Sequence, residues 1–321
     1  MTRSERASRR ALVTGVAGFT GRHMAARLID AGYEVWGTVM PSRGGVMGSD
    51  PERLLHHAAM PEVVQVSVDL LDSDGLARVA AQIRPDVVVH LAGVAHVMNG
   101  DVANTHLVNV IGTRNLLAAL DSVGAPPHAV LLASSANVYG NVDVDAIDER
   151  IAPQPANDYA VSKLSMEYTA KLWSARLPVV IARPFNYTGV GQSEAYLLPK
   201  IVGHFARRER SISLGNTNVS RDFSDVRDVV AAYARLLEIA PAGDTFNICS
   251  GVGHSLADVL DMLARIAGYE IDVQVDPRFV RTNDVQRLVG SNAKLRCAVG
   301  GHRVTPLEAT LRWMYDAVRS R

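Results

Sequence analysis

The sequence predicts an α/β fold, a doubly wound parallel sheet followed by a smaller C-terminal α/β lobe. Three observations carry that expectation. Short apolar, β-rich runs alternate with helical periodicity from Ala11 to Ile248. Several runs are apolar throughout, as strands of a parallel sheet covered on both faces must be. A glycine-rich turn joins the first such run to the first helical one, and beyond Arg183 the regular alternation gives way to crowded turn signals (Pro184, Gly189, Gly191, Pro199).

Taken in order, Ala11–Thr14 reads as a strand and Gly21–Ala31 as a helix with Met24, Leu28 and Ile29 on one face, stopped by Gly32. Glu34–Thr38 and Val63–Val68 are the next strands. Asp86–Ala92, His128–Ser134 and Pro178–Arg183 follow, with helical spacing over Asp72–Gln82, Val102–Val123 and Asp158–Arg176 between them. That βαβ order implies the doubly wound, Rossmann-type arrangement. Pro41–Pro61 reads as a long loop with one helical turn near Arg53. Farther on, Val226–Ile239 reads as a helix and Thr245–Ile248 as a strand returning to the main sheet. A helix begins at Ser255, and Thr305-Pro306-Leu307-Glu308 has the pattern of a capping box. The expected division is a dinucleotide-binding domain over residues 1–183, with a return segment near 222–250, and a ligand-binding lobe made mainly by 184–321.

Composition narrows the function classes. Apolar residues are 48% and charged residues 21% of 321 positions, the balance of an ordinary globular chain. Lys+Arg and Asp+Glu both number 33, which argues against binding nucleic acid through a general positive field. The basic run Arg207, Arg208, Arg210 reads as a solvated helix end. Two cysteines, Cys249 and Cys297, make no disulfide framework and suit a reducing cytoplasm. No apolar run has membrane-spanning length. His90, His96 and His106 lack ligand spacing, so no metal is expected, and His56-His57 sits on the expected loop.

Two segments carry chemistry. Thr14-Gly15-Val16-Ala17-Gly18-Phe19-Thr20-Gly21 lies between strand and helix, where glycines let backbone N–H groups approach a pyrophosphate at a helix N-terminus. No carboxylate stands between Glu34 and Asp50 to accept from a ribose 2′-OH. Thr38, Ser42 and Arg43 occupy that region, and a neutral and a cationic side chain suit a 2′-phosphate, so NADP(H) is expected over NAD. Asp69 is placed either to touch an adenine ring or to cap the following helix. The second segment is Tyr159-Ala-Val-Ser-Lys163, whose ends share a helix face, so that the ammonium can favour the phenolate and make Tyr159 a usable acid or base.

With these pieces the chain resembles the extended short-chain dehydrogenase/reductase family from Ala11 to its C-terminus. The matching segments are the glycine turn, His90-Leu-Ala-Gly93, Asn109-Val-Ile-Gly-Thr113, Ser134-Ser-Ala-Asn-Val-Tyr-Gly140, Tyr159–Lys163 and Arg183-Pro-Phe-Asn186. The resemblance implies that Tyr159 exchanges the proton, Lys163 holds the nicotinamide ribose, and Ser135, four before Tyr139, bonds the reacting oxygen. Ser134 would then support the backbone. Cofactor contacts are implied for Gly15, Gly18, Phe19, Thr20, Gly21, Thr38, Ser42 and Arg43. Further contacts are implied for Asp69, Leu70, Leu91, Ala92, Gly93, Asn109 and Pro184.

The family's nucleotide-sugar chemistry implies a second set. Arg221 and Arg281 resemble its two arginines that clamp a diphosphate, a role that suits a planar guanidinium fork. The bland alternative pairs Arg221 with Asp222 and Arg281 with Asp284. Asn137, Asn186, Leu198, Lys200 and Asp284 are expected beside the same ligand. Family dehydratases carry a carboxylate just after the catalytic Ser or Thr; here Ala136-Asn137 stand there, so 4,6-dehydration is disfavoured. Arg183–Gln192, Arg221–Asp228, Asn247–Gly251 and Val289–Arg296 look like the GDP-4-keto-6-deoxy-mannose reductases, with Tyr187 and Val190 as departures. The expectation is an NADPH-dependent 4-ketoreductase of a GDP-6-deoxyhexose, on the route to GDP-rhamnose or a relative. A 4-epimerase with retained NAD is the alternative, and a non-catalytic NADP(H) sensor the remote one. The resemblance also implies a homodimer through the helices near Val102–Val123 and Asp158–Arg176, although neither shows a diagnostic apolar excess.

Overall fold

The computed structural model describes residues 9–41, 60, 62–94, 101–215, 219–276 and 287–320. The expected helical turn near Arg53 lies outside them. Strands β1 (Arg10–Thr14), β2 (Glu34–Val39), β3 (Val63–Ser67), β4 (Val87–His90), β5 (Ala129–Ala133), β6 (Val179–Pro184) and β10 (Thr245–Ile248) form one seven-stranded sheet. Its order is β10-β6-β5-β4-β1-β2-β3, and every pairing from β3 to β6 is parallel. The chain winds outward from β1 in one direction and restarts at β4 in the other, so β1 and β4 are neighbours at the switch point. Ligands bind beyond the carboxyl ends of strands at such a point. Register makes those ends level: Thr14 is opposite both Thr38 and His90, and His90 is opposite Leu132.

The chain divides into two compact units. The first comprises Met1–Val138, Pro155–Ala182 and Tyr233–Thr245. Strands β1, β4 and β5 are buried on both faces, as their unbroken apolar runs require, whereas the edge strand β3 leaves Val64 and Gln65 exposed. Leu12, Val88, Val130 and Ile181 pack on one side with Leu76, Val79 and Ile83 of α2 (Ser73–Ile83) and Leu116, Leu117 and Leu120 of α4 (Thr113–Ser122). Helix α1 (Phe19–Asp30) buries Met24, Ala25 and Leu28. The expected helix Val102–Val123 is three pieces: α3 (Val102–His106), a π-helical stretch Leu107–Gly112, and α4. Helix α5 (Asp158–Lys171) stops five residues before the expected Arg176. The chain turns there so that Trp173 and Leu177 enter the core.

The second unit comprises Tyr139–Gln154, Arg183–Ala232 and Phe246–Arg321. Strands β7 (Asn186–Thr188), β9 (Ser220–Asp225), β11 (Gly253–Ser255) and β13 (Arg287–Leu288) form one small sheet, with β9 pairing all three others. Strands β8 (Ser211–Leu214) and β12 (Asp272–Val275) pair separately. Leu198, Ile201 and Phe205 of α6 (Leu197–Ala206) meet Val259 and Leu263 of α8 (Leu256–Ala267) and Leu311 and Met314 of α10 (Leu307–Arg319). Helix α7 (Val226–Ile239) follows β9 directly, and α9 (Ala293–Val299) follows β13.

The capping box expected at Thr305 is not formed. Pro306 is the N-cap of α10, and the Thr305 N–H and hydroxyl both donate to the buried Asp228 carboxylate, at 2.5 and 3.1 Å. Glu308 meets Arg265 at 3.0 Å instead of closing back on Thr305. A tertiary carboxylate outcompeted the local pattern. The capping box that does form is at α8, where the Ser255 hydroxyl accepts from Asp258 N and Asp258 accepts from Ser255 N. Among the described residues, no helix is long and apolar enough to cross a membrane.

Gly37 in β2 is a packing constraint invisible in the strand pattern. A Cβ there would lie 2.3 Å from Cγ1 of Val16, which is fully buried. Gly37→Ala is therefore expected to cost about 1–3 kcal/mol in denaturant unfolding. Adding Val16→Ala, which removes the obstructing methyls, should return part of that loss; strict additivity in the double-mutant cycle would refute the contact.

Candidate active site

At the end of β1 the chain turns on Gly15, at φ +68°, and Gly18 N–H closes the turn on the Gly15 carbonyl at 3.0 Å. A side chain at Gly15 would be strained, and its Cβ would lie 2.9 Å from the Ala92 backbone. Gly18 is the N-cap of α1 and supplies no side-chain cap, so backbone can approach a phosphate closely at this helix N-terminus. Phe19, Thr20 and Gly21 form the first turn of α1 behind it. The Arg22 guanidinium folds back on the loop, its Nε donating to the Ala17 carbonyl at 3.0 Å, and burial lowers its pKa. Arg22 was missed in the sequence, where only its place after the last glycine marks it.

A directional hydrogen-bond chain fixes the strand exits behind this loop. Thr113 Oγ1 donates to the Asn109 carbonyl at 2.7 Å, so it accepts from His90 Nε2 at 2.9 Å. His90 Nδ1 then accepts from Thr14 Oγ1 at 2.7 Å, and Thr14 Oγ1 accepts from the N–H groups of Leu91 and Ala92 at 3.2 and 3.1 Å. Each hydroxyl proton is used once, which assigns the tautomer. Burial, helped by the Lys163 charge, pushes His90 down to about 3, so it is neutral and a structural link.

Asn109 sits in the π-helical stretch, where helix geometry is often altered for a local purpose. Its Nδ2 donates to the Val94 carbonyl (3.1 Å) and Ser162 Oγ (2.9 Å), and its Oδ1 accepts from Val94 N (2.8 Å). It ties the segment after β4, which includes Gly93, to α5. Thr38 is buried and accepts from Gly15 N at 3.3 Å. Asp69 accepts from Leu71 N at 2.9 Å, but the N-cap of α2 is Asp72, so Asp69 shapes the turn before the helix and does not cap it. Leu70 is buried in the hydrophobic core beside α2 and α4.

The proton-transfer candidates converge on the exit of β5. Helix α5 starts at an Asn157 cap, which accepts from Ala160 N at 2.9 Å, and carries Tyr159 and Lys163 one turn apart. Lys163 is buried and donates to the Ala133 carbonyl at 2.8 Å. Burial pushes its pKa down to about 8, opposed by the nearby Glu167 carboxylate. Ser135 is buried, with Oγ accepting from Asn137 N at 3.2 Å. Asn137 is exposed and Tyr159 half-buried. Ser134, expected to support the backbone, donates from its N–H to the Ala182 carbonyl at 2.7 Å and from its hydroxyl to Glu167 Oε1 at 2.5 Å. Glu167 had no motif to mark it beyond lying four residues after Lys163.

In the second unit, Asp222 is fully buried and its carboxylate accepts from Ser250 N and Oγ, Gly251 N and Gly290 N at 2.6–3.3 Å. Burial raises its pKa against those bonds. That carboxylate gathers the loops around β9, and the Arg221 guanidinium donates to the Ser220 carbonyl at 3.0 Å. Asn186 donates to the Asp222 carbonyl at 3.4 Å and Lys200 to that of Ser213 at 2.9 Å. Leu198 packs in the hydrophobic cluster and Pro184 is buried at the end of β6. A buried polar chain not anticipated from sequence runs from Arg183 to the Tyr139 hydroxyl (2.9 Å) and on to Asn247 Oδ1 (2.8 Å). Ser42, Arg43, Arg281 and Asp284, with His96 and His56-His57, lie outside the described residues. Among the described residues no group of three or more His, Cys, Asp or Glu side chains could hold a metal ion.

Comparison with known proteins gives consistent matches. The family model described as GDP-mannose 4,6 dehydratase matches residues 12–314. GDP-6-deoxy-D-mannose reductase of Pseudomonas aeruginosa is 34% identical over 98% of this chain and 98% of its own. GDP-6-deoxy-D-talose 4-dehydrogenase of Aggregatibacter actinomycetemcomitans is 30% identical over 95% of this chain and 96% of its own. Among solved structures, RMD from Pseudomonas aeruginosa complexed with NADPH superposes with TM-score 0.80 at 33% identity, covering 98% of each chain. A crystal structure from Burkholderia cenocepacia J2315, whose description as an epimerase is provisional, gives TM-score 0.89 at 61% identity over 98% of this chain and 99% of its own.

The His90 link predicts a pH dependence of stability. A histidine held near 3 when folded and near its ordinary 6.5 when unfolded contributes stability that is complete above pH 6.5. It is lost as pH falls toward 3, because the unfolded chain then binds the extra proton. Melting temperature should fall across that window. The gap between the unsubstituted chain and His90→Gln should be widest at pH 7 and narrow toward pH 4; a constant gap would contradict the assignment.

Proposed function

The chain belongs to the GDP-mannose 4,6 dehydratase family of extended short-chain dehydrogenases/reductases, and we propose that it reduces the 4-keto group of a GDP-4-keto-6-deoxyhexose with NADPH. One observation carries the choice of reaction. The Ser135, Tyr159 and Lys163 set is complete, while the turn after it, Ala136–Tyr139, holds no carboxylate to remove a C5 proton as dehydration requires.

The cofactor fits the glycine turn: Gly15 and Gly18 leave the backbone bare at a helix N-terminus, and a Cβ at Gly15 would press on Ala92. When bound, NADPH supplies hydride to C4 of the sugar. Ser135 Oγ donates to the C4 oxygen, and the Tyr159 phenol gives it a proton. Lys163, anchored on the Ala133 carbonyl and charged below about pH 8, holds the nicotinamide ribose and supports the charge that develops on the phenol. Thr38, Ser42 and Arg43 suit the 2′-phosphate, with no carboxylate among them to repel it. Arg221 and Arg281 hold the diphosphate, and Asn186 and Lys200 bind the same ligand.

The relatives' names support a GDP-sugar and an oxidoreductase acting at C4; GDP-rhamnose is the product we favour. The description of the Burkholderia protein favours a second reading, a 4-epimerase with retained NAD. A non-catalytic sensor would have no need of both Tyr159 and Lys163. The test is NADPH oxidation with GDP-4-keto-6-deoxy-mannose made in situ by a separate dehydratase. Consumption that requires the keto sugar is expected. No consumption, with NAD released on denaturing the protein, would transfer the assignment to the epimerase. Tyr159→Phe should lower turnover about 10²–10⁴-fold and leave NADPH affinity nearly unchanged.

We also propose that the chain works as a homodimer in the cytoplasm, where its two free thiols would stay reduced. Helices α3 and α5 and the π-helical stretch pack together and expose Val102, Leu107, Ile111, Val161, Tyr168 and Leu172. Leu107→Glu is expected to yield monomers by light scattering; an unchanged mass would refute this face.

A further inference from the structure

Tyr159, Lys163 and Glu167 follow one another at helical spacing on one face of α5. Glu167 is 2% exposed. It accepts from Ser134, the neighbour of Ser135, while Lys163 one turn earlier holds the Ala133 carbonyl. Two consecutive residues at the exit of β5 are thus gripped by two consecutive turns of α5, and Ser135 is the next residue along. A buried carboxylate is tolerated only where other groups compensate it. Here the Ser134 hydroxyl and the Lys163 ammonium do so.

We propose that Glu167 is a positioning residue of the proton-transfer site, tethering the strand tip that carries Ser135 and supplying the counter-charge for the buried Lys163 ammonium. This rests on reading Tyr159 and Lys163 as the proton-transfer pair. Burial drives Lys163 toward its neutral form, and Glu167 opposes that. Among the described residues, the other titratable groups around Lys163 are Tyr159, one turn earlier on the same helix, and His90 from β4, which is neutral. His106 on α3 and Arg114 and Asp121 on α4 stand on helices packed against α5. Without Glu167, Lys163 should lose its proton at lower pH, and turnover that needs the ammonium should fail earlier on the alkaline side.

The chain has four lysines, Lys163, Lys171, Lys200 and Lys294, so Lys163 can be followed by carbon-13 NMR of labelled lysine and assigned by its loss in Lys163→Arg. The midpoint should lie close to 8 in the unsubstituted chain and fall by about one unit in Glu167→Gln. It should stay in place in Glu167→Asp, which keeps the charge, and in Ser134→Ala, which keeps the carboxylate. The alkaline limb of turnover should move with the midpoint, whereas simple structural damage would lower turnover without moving the limb. An unmoved midpoint in Glu167→Gln overturns the proposal. If that variant does not fold, a one-unit fall in Glu167→Asp or Ser134→Ala overturns it instead. The titration needs neither sugar nor cofactor, so its failure and failure of the keto-sugar reading are separable.

Discussion

The Lys163 ammonium is buried in the first unit, and a charge there persists only with a hydrogen-bond acceptor and an opposing charge close by. The Ala133 carbonyl provides the first and Glu167 the second. Meeting both demands fixes the height of α5 along the sheet. That height in turn sets Tyr159 one turn above the lysine, and Ser134 and Ser135 beside it. The Asn109 amide secures the same helix from the other side by bonding Ser162, which itself donates to the Tyr159 carbonyl at 2.7 Å. The helix that carries Tyr159 and Lys163 is therefore held by backbone and buried polar contacts.

The same economy recurs where polar groups are buried elsewhere. Thr14, His90 and Thr113 pass hydrogen bonds in one direction and leave no proton unused, which pins the exits of β1 and β4 at the switch point. In the second unit Asp222 gathers Ser250, Gly251 and Gly290, and Asp228 gathers Thr305. These carboxylates belong to a segment, Arg221–Asp228, that reads in sequence as a ligand motif. Its acidic members Asp222 and Asp228 are spent inside the protein. Buried carboxylates satisfied this way are high-stakes contacts, since losing a partner strands a charge away from water.

The family description and the residues of this chain differ in emphasis. The description names a dehydratase, a reaction that asks for a carboxylate beside the catalytic serine, and Ala136 and Asn137 cannot transfer that proton. A reductase or an epimerase asks only for the groups that are present. Fold and family delimit the chemistry, and a choice within it has to be argued from the side chains.

Much of the fold was legible because its determinants are local. Apolar runs marked β4 and β5, the glycine turn marked the switch point, and Tyr159 with Lys163 marked α5, since periodicity and turn chemistry act over a few residues. Where long-range contacts compete, the sequence was silent or misleading. Thr305 has every neighbour a capping box needs, yet Asp228, seventy-seven positions away, takes its N–H and hydroxyl. Nothing in Val102–Val123 foretold the π-helical stretch around Asn109, whose amide partners come from beyond β4 and from α5. Nothing around Ser134 foretold that its hydroxyl partner is Glu167, thirty-three residues on. The sequence by itself determined most of the strands and helices and the glycine turn, and it singled out Tyr159 and Lys163 as candidates one helical turn apart. Tertiary structure alone decided which buried polar atoms answer one another, because satisfying a buried charge is a property of the space around it and not of its neighbours in the chain.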